Sequence, residues 1–394
     1  MPSLSDSDCF KNLKQTTLLS MKDKSKEFEV TEHQLYISSI KHWLRLKKEN
    51  KIAPSKKKMA RKITLFVILS APFRWLQSIL IASRLKGISF KENPPVFVIG
   101  HWRSGTTHLH YLLSQDKRFV YLDSFQAFFF RVAFVSKGIM RPLLARLMPS
   151  TRLQDNVKID DQSPQEEEHP LTNLTEKSGM QMFFFPKNRS YFDKYNVFMG
   201  TTEKEIKDWK KVYLKMLKQI SLFQGKQKQL LLKNPHNTGR VKVLLQLFPN
   251  AKFIFIHRNP YQVYASTKYL YQKAITTQLL QEFSEKEMEE RILYCYEKSM
   301  QKYLDDKHLI PENSLCEISF NELETQPINS LEKIYSKLNI SDFNKNKTHF
   351  KTYLNTVKSY KKNQLVDIPS EVKDQINTRW KFAFDNWEYE RVDK

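Results

Sequence analysis

The run Gly100-His101-Trp102-Arg103-Ser104-Gly105-Thr106-Thr107 holds two of only eight glycines in the chain and follows the apolar run Val96-Phe97-Val98-Ile99. A strand that ends in such a loop and opens a helix is the setting that phosphate binding requires. Glycine lets the backbone approach an anion, successive N–H groups point into the loop, and the helix N-terminus adds partial positive charge. The nucleoside-triphosphate version of the loop reads Gly-x-x-x-x-Gly-Lys-Ser/Thr, whereas here the lysine position is Thr106. An ordinary ATPase or GTPase is therefore disfavoured. The cation lies inside the loop as Arg103, whose fork can bind two oxyanion oxygens, with Ser104, Thr106 and Thr107 as hydroxyl donors.

The elements that must position this loop begin after Asn93-Pro94-Pro95, where short β-type runs alternate with helical ones. That alternation predicts an α/β fold with a central parallel sheet flanked by helices. Val96 to Ile99 is the first buried strand, and a helix is expected from about Gly105. Leu230-Leu231-Leu232 and Lys252-Phe253-Ile254-Phe255-Ile256 are continuous apolar strands, and Ser314 to Phe320 is a fourth, before a helical stretch ending near Leu338. Ligands of an open α/β sheet gather at the carboxyl ends of such strands.

With the strand before it and the helix after it, Arg103-Ser104-Gly105-Thr106-Thr107 resembles the first signature of the sulfotransferases that use 3'-phosphoadenosine 5'-phosphosulfate (PAPS). Trp102 stands where a proline is usual, as in the larger bacterial-type members, which the chain resembles over roughly residues 93–394. The resemblance implies a P-loop-like sheet and a cofactor loop of Arg103, Ser104, Gly105, Thr106 and Thr107, with Arg103 also acting on the transferring group. The family's second signature, an Arg at a strand end with a Ser eight residues on, holding the 3'-phosphate, is met by Arg258 and Ser266. Tyr360-Lys361-Lys362-Asn363 is similar to the basic loop that closes over the same phosphate, which brings in Lys361 and Lys362. Glu317 to Leu323 with Pro327 and Leu331 resembles the family's later strand–loop–helix, a structural rather than catalytic feature.

The acceptor's base has several candidates. Leu232-Lys233-Asn234-Pro235-His236 ends a strand where cytosolic sulfotransferases carry a Lys-Thr-His pair, so Lys233 and His236 are similar in kind at one residue longer spacing. Ser163-Pro164-Gln165-Glu166-Glu167-Glu168-His169 is an acidic cluster in a basic protein, and Glu167 is its central member. Its alternative reading is a solvated loop or a set of salt bridges. Of the two candidate bases, His236 is preferred over Glu167 because its strand end already lies at the ligand edge. His108 and His110 lie about 200° apart on a helix and cannot share a metal, so no metal is expected. The aromatic runs Phe125 to Phe134 and Met180 to Phe185 are read as core, with an apolar acceptor pocket as the alternative.

The 394 residues include 65 Lys and Arg against 42 Asp and Glu, a formal net charge of +23, with 40% hydrophobic residues. Wholesale disorder and collagen-like folding are excluded, and three cysteines make neither a disulfide framework nor a zinc site. Much of the charge is packed into Lys41 to Lys62, and the following segment Ile63 to Ala82 is apolar except for a narrow stripe of Ser70, Arg74, Gln77 and Ser78, with a break near Pro72. It is too polar at its centre for a spanning helix, and two readings stay open: it lies in an anionic membrane interface, or it packs on the catalytic core. Two regions are expected, an N-terminal basic and amphipathic helical extension over 1–92 and a sulfotransferase domain over 93–394. A cytoplasmic enzyme is expected, with peripheral contact with an anionic membrane on the first of those two readings, and the resemblance implies sulfuryl transfer from PAPS to a hydroxyl or amine of a small-molecule or lipid acceptor. The competing readings are an atypical P-loop nucleotide kinase and a non-enzymatic basic protein bound to membrane or nucleic acid; the last leaves both loop signatures unexplained.

Overall fold

The computed structural model describes residues 33–152, 156–225, 228–358 and 367–392. Five parallel strands form the centre: β1 (Val96–Ile99), β2 (Phe119–Val120), β3 (Gln229–Lys233), β4 (Lys252–His257) and β5 (Leu315–Ser319), in the order β2-β3-β1-β4-β5. β1 is thus the middle strand, with Val98 opposite Lys233 of β3 on one side and Ile254 of β4 on the other. The chain passes from β3 over β1 to β4, so the ends of all three strands share one edge, where ligands of open sheets bind.

Alternation along the strands divides two cores. Phe97, Ile99, Leu230, Leu232, Phe253 and Phe255 face one layer, whereas Val96, Val98, Leu231, Ile254 and Ile256 face the other. The principal helices, in chain order, are α1 (Ile40–Glu49), α2 (Lys57–Leu69), α3 (Ala71–Ala82), α4 (Thr106–Leu113), α5 (Ala133–Leu147), α6 (Glu168–Leu174), α7 (Glu203–Gln224), α8 (Pro260–Leu270), α9 (Glu285–Asp306), α10 (Pro327–Lys337) and α11 (Phe343–Val357). The second core is closed by α4, α10 and α11, and the larger first core by α7, α9 and the N-terminal helices.

Local sequence explains where the long helices start. Thr202 with Glu205 and Ser284 with Glu287 form capping boxes at α7 and α9, each satisfying backbone N–H groups that no helical carbonyl reaches. Along α7, Trp209, Tyr213, Met216, Leu217 and Ile220 recur at helical spacing and are buried. Each such side chain contributes about 1.5–3 kcal/mol on burial.

The expected first strand has the same bounds, the expected helix begins with Gly105 as its cap, and the three later strands extend the expected runs by a residue or less at each end or shorten them by one. β2, two residues long, was not expected. The aromatic runs are largely core: Phe125, Phe130 and all six residues of Met180 to Phe185 are buried. The N-terminal helices share the first core, through Trp43, Leu46, Ile63 and Val67. Further ties run from Gln281 Nε2 to the Lys51 carbonyl and from the Ala53 N–H to the Leu280 carbonyl.

Candidate active site

Between β1 and α4 the backbone turns through Gly100 at φ +143°, Arg103 at φ +70° and Gly105 at φ +97°. Glycine is required at the first and last of these. A Cβ on Gly100 would lie 2.3 Å from the Ile256 carbonyl oxygen, and one on Gly105 would lie 2.2 Å from the Phe320 ring. The Gly100 N–H donates to Thr238 Oγ1 at 2.8 Å, tying the loop to the chain that follows β3. Ser104 Oγ is buried with no hydrogen-bond partner among the described residues, so the loop retains a hydroxyl that suits an incoming anion.

Arg103 Nε donates to Ser266 Oγ at 2.8 Å, and Arg258 donates from one terminal nitrogen to the Arg103 carbonyl at 3.2 Å. The Arg258 guanidinium lies 4.5 Å above the Phe320 ring, which orients its plane. β4 delivers Arg258 just past its last residue, and Ser266 lies on α8, buried. Two signatures more than 150 residues apart in the chain therefore meet in one cationic cluster.

At the end of β3, Lys233 is buried, its ammonium 2.5 Å from Glu166 Oε1 and 3.4 Å from Thr107 Oγ1. Burial lowers the Lys233 pKa, with Glu166 opposing the fall. For Glu166, burial acts upward and is the largest single effect, but the charge and hydrogen bond of Lys233 together with the nearby His169 and Arg152 outweigh it and hold the carboxyl below its ordinary range. The neighbouring glutamates point elsewhere. Glu167 is fully buried, accepting from Asn237 Nδ2 at 2.6 Å and Tyr213 at 2.9 Å, and desolvation pushes its pKa up to about 7. Glu168 accepts both terminal nitrogens of Arg240 at 2.7 and 2.9 Å, together with Asn234, Ser178 and the Gly179 N–H. The acidic cluster is thus no solvated loop; it holds one fully buried and one partly buried ion pair that tie the β3 exit to the start of α6.

His236 follows in a short 3₁₀ turn, buried, with Nδ1 at 2.5 Å from Asn196 Oδ1 and Nε2 without a hydrogen-bond partner among the described residues. Its ring meets Trp102 edge-on at 4.7 Å, and burial brings its pKa down to about 4. His101 is also buried, at a pKa of about 3, with Nδ1 on the Trp102 carbonyl. Trp102 packs on Phe183, giving the loop an apolar wall.

Arg103, Ser104, Gly105, Thr106, Thr107, Arg258, Ser266 and Lys233 therefore lie at one edge of the sheet, with His236 beside Trp102, while Glu167 sits apart in the core under α7. Lys361 and Lys362 lie outside the described residues. Sequence reasoning missed Glu166, Thr238 and Arg240. Glu166 was in view as part of the acidic cluster, but side-chain direction at a helix start separates it from Glu167.

A doubly wound sheet with an anion loop at the end of its middle strand and two arginines and a lysine around it defines a phosphate-loop transferase. The chain belongs to the Sulfotransferase family, whose profile matches residues 94–344. Among related proteins, it is 26% identical over 351 residues, covering 89% of each chain, to the omega-hydroxy-beta-dihydromenaquinone-9 sulfotransferase Stf3 of Mycobacterium bovis. Its fold matches sulfotransferase STF9 from Mycobacterium avium, at a TM-score of 0.62 and 16% identity over 81% of this chain and 83% of that one. It also matches sulfotransferase STF1 from Mycobacterium tuberculosis, at 0.60 and 16% over 91% and 97%. The protein is a sulfotransferase, and the kinase and non-enzymatic readings give way to it.

Proposed function

We propose that the protein moves a sulfuryl group from PAPS to a hydroxyl on an apolar, lipid-like acceptor. The observation that carries the donor is the joining of Arg103, Arg258 and Ser266 in one cluster beside a loop with an unused buried hydroxyl. The loop N–H groups and Arg103 bind the phosphosulfate, and Arg258 with Ser266 binds the 3'-phosphate. The bound donor supplies an electrophilic sulfur on a phosphate leaving group. Lys233 neutralises charge on the bridging oxygen as the S–O bond to phosphate breaks.

For the base, Glu166 is a better choice than Glu167. Its carboxylate shares Lys233's position at the strand end, whereas both Glu167 hydrogen bonds run into the core. When Lys233 turns to the donor's phosphate, Glu166 loses its counter-charge and its proton affinity rises, which suits it to take the acceptor's proton as the new S–O bond forms. His236 is the second reading, favoured by its Nε2, which has no partner among the described residues, and by an Asn196 contact that holds Nδ1 as the donor. The lipid-like acceptor is supported by the related hydroxymenaquinone enzyme and by the Trp102–Phe183 wall beside the loop.

Thermal shift tests the donor site. 3',5'-Adenosine bisphosphate should raise the melting temperature at concentrations where ATP has no effect; a larger shift with ATP would overturn the reading.

A further inference from the structure

Arg74 and Gln77 of the polar stripe on α3 face the protein, Ser78 at its margin is exposed, and the apolar face looks outward. At about 100° per residue, Arg74, Gln77 and Ile81 fall within about 60° of arc, and all three are buried. Gln77 is fully engaged inward: its Nε2 donates to the Phe130 carbonyl and its Oε1 accepts from the Phe134 N–H. Arg74 donates to the Val67 carbonyl. The opposite arc carries Trp75 at 69% exposure and Ile79 at 52%, continuous with Leu65 and Leu69 of α2, both more than half exposed. α5, packed beside α3, adds Ile139 at 79%. This arrangement is the reverse of a water-facing helix.

Three further features identify what covers it. The hydroxyls on or beside that face return to their own helices: Ser70 Oγ donates to the Phe66 carbonyl at 2.6 Å and Ser78 Oγ to the Trp75 carbonyl at 2.7 Å. Self-satisfied hydroxyls are what a hydrocarbon environment demands, and an exposed tryptophan with one N–H donor suits the boundary between hydrocarbon and headgroups. The cations stand at the ends of the bent pair: Lys58, Arg61 and Lys62 are exposed on the first turns of α2, and Arg84 and Lys86 follow α3. Among the described residues no single helix is long and apolar enough to cross a membrane, and α2 and α3 are bent by 46° at their junction. Together the two have the length and composition of a broken span, but Ile63, Val67, Arg74 and Gln77 on their inner side are buried against the protein, so the pair lies along a surface.

We infer that the outer face of α2 and α3, with Ile139 of α5, docks into one leaflet of an anionic lipid bilayer, the flanking lysines and arginines meeting the headgroups. Packing on the core and contact with lipid are then two faces of the same helices. The face is tied to the active site, because the Tyr121 to Phe134 segment that Gln77 holds also pairs, through Leu122 and Asp123, with Pro164 and Gln165, next to Glu166. The docking inference stands without the acceptor reading.

Vesicle flotation of the full chain tests it, with phosphatidylcholine vesicles containing about 30% phosphatidylglycerol as the probe. We expect the wild type to float, a Trp75→Asp/Ile79→Asp double variant to lose at least about tenfold of that binding, and Lys58→Glu/Arg61→Glu/Lys62→Glu to lose the preference for anionic over neutral vesicles. Both variants should keep their melting temperature and their thermal shift with 3',5'-adenosine bisphosphate. Should the double variant misfold, quenching by brominated lipid reports directly: it should be strong in the wild type and much weaker in Trp75→Phe. A double variant that floats like the wild type, or quenching unchanged in Trp75→Phe, would overturn the inference. So would a wild type that stays unbound, including one that is a dimer dissociated by Trp75→Asp, because a second copy would then be the occupant.

Discussion

Lys233 and Glu166 hold an ion pair of 2.5 Å at the carboxyl end of β3, one residue type suited to the leaving phosphate and the other to the incoming hydroxyl. The two sit 67 positions apart in the chain and meet because β3 ends where α6 begins. In the proposed mechanism a donor phosphate arriving at this edge competes with Glu166 for Lys233, so that binding the donor and releasing the base are the same event.

Glu166→Gln should therefore lower turnover by about 10²–10⁴ while leaving the affinity for 3',5'-adenosine bisphosphate within about twofold. Glu167→Gln should keep most of the turnover, because its carboxyl is buried in the core on Tyr213 and Asn237, away from Lys233. Steady-state kinetics with an unactivated alcohol check both. Full activity in Glu166→Gln, with loss in His236→Asn, would move the base to His236.

Arg258→Ala and Ser266→Ala should weaken the bisphosphate far more than adenosine 5'-phosphosulfate, which lacks the 3'-phosphate. Each charge-assisted hydrogen bond contributes about 1.5–3 kcal/mol and acts only on the group it touches, or about 10- to 100-fold in affinity. Calorimetric titration of both ligands decides it, and equal losses would remove the 3'-phosphate assignment.

What could be seen in the sequence divides along physical lines. Val96 to Ile99 and Lys252 to Ile256 announce themselves as buried strands because continuous β-branched and aromatic runs have few alternatives, while Phe119–Val120 is too short to show any period. Gly100 and Gly105 mark the loop because their conformations and contacts exclude a side chain. The roles of Glu166, Glu167 and Glu168 were illegible: three consecutive residues entering a helix point in three directions, and only the fold says which meets Lys233, Tyr213 or Arg240. The stripe of Arg74 and Gln77 was legible as a stripe, but periodicity carries no sign, so it could not tell which side faces the protein.

The buried histidines predict acid sensitivity. Desolvation lowers His33, His42 and His236 from 6.5 to about 4, so the unfolded chain binds protons that the folded one refuses. For such groups stability is fully present above about pH 6.5 and falls as pH drops toward 4. Stability should therefore decline through that window, and His33→Gln should flatten the slope by up to about 1.4 kcal/mol per pH unit. Urea titrations at several pH values measure this; a slope unchanged by the substitution would contradict it.

Arg240 and Glu168 are both wholly buried and paired through two hydrogen bonds. Arg240→Ala leaves a carboxylate without its partner and should cost about 3–5 kcal/mol of stability. Arg240→Lys keeps the charge but loses the fork, and should fall between the wild type and alanine variants in a denaturant titration. An Arg240→Ala protein as stable as the wild type would show that Glu168 finds other neutralisation.

The central claim is tested most directly by incubating the purified protein with PAPS labelled with ³⁵S in the sulfuryl group and a long-chain isoprenoid alcohol in detergent or vesicles. The account predicts label on the alcohol in one-to-one ratio with released 3',5'-adenosine bisphosphate, abolished by Arg103→Ala and strongly reduced by Glu166→Gln. Label that stays on the donor with every hydroxylated apolar acceptor tried, or transfer that Arg103→Ala leaves intact, would contradict it.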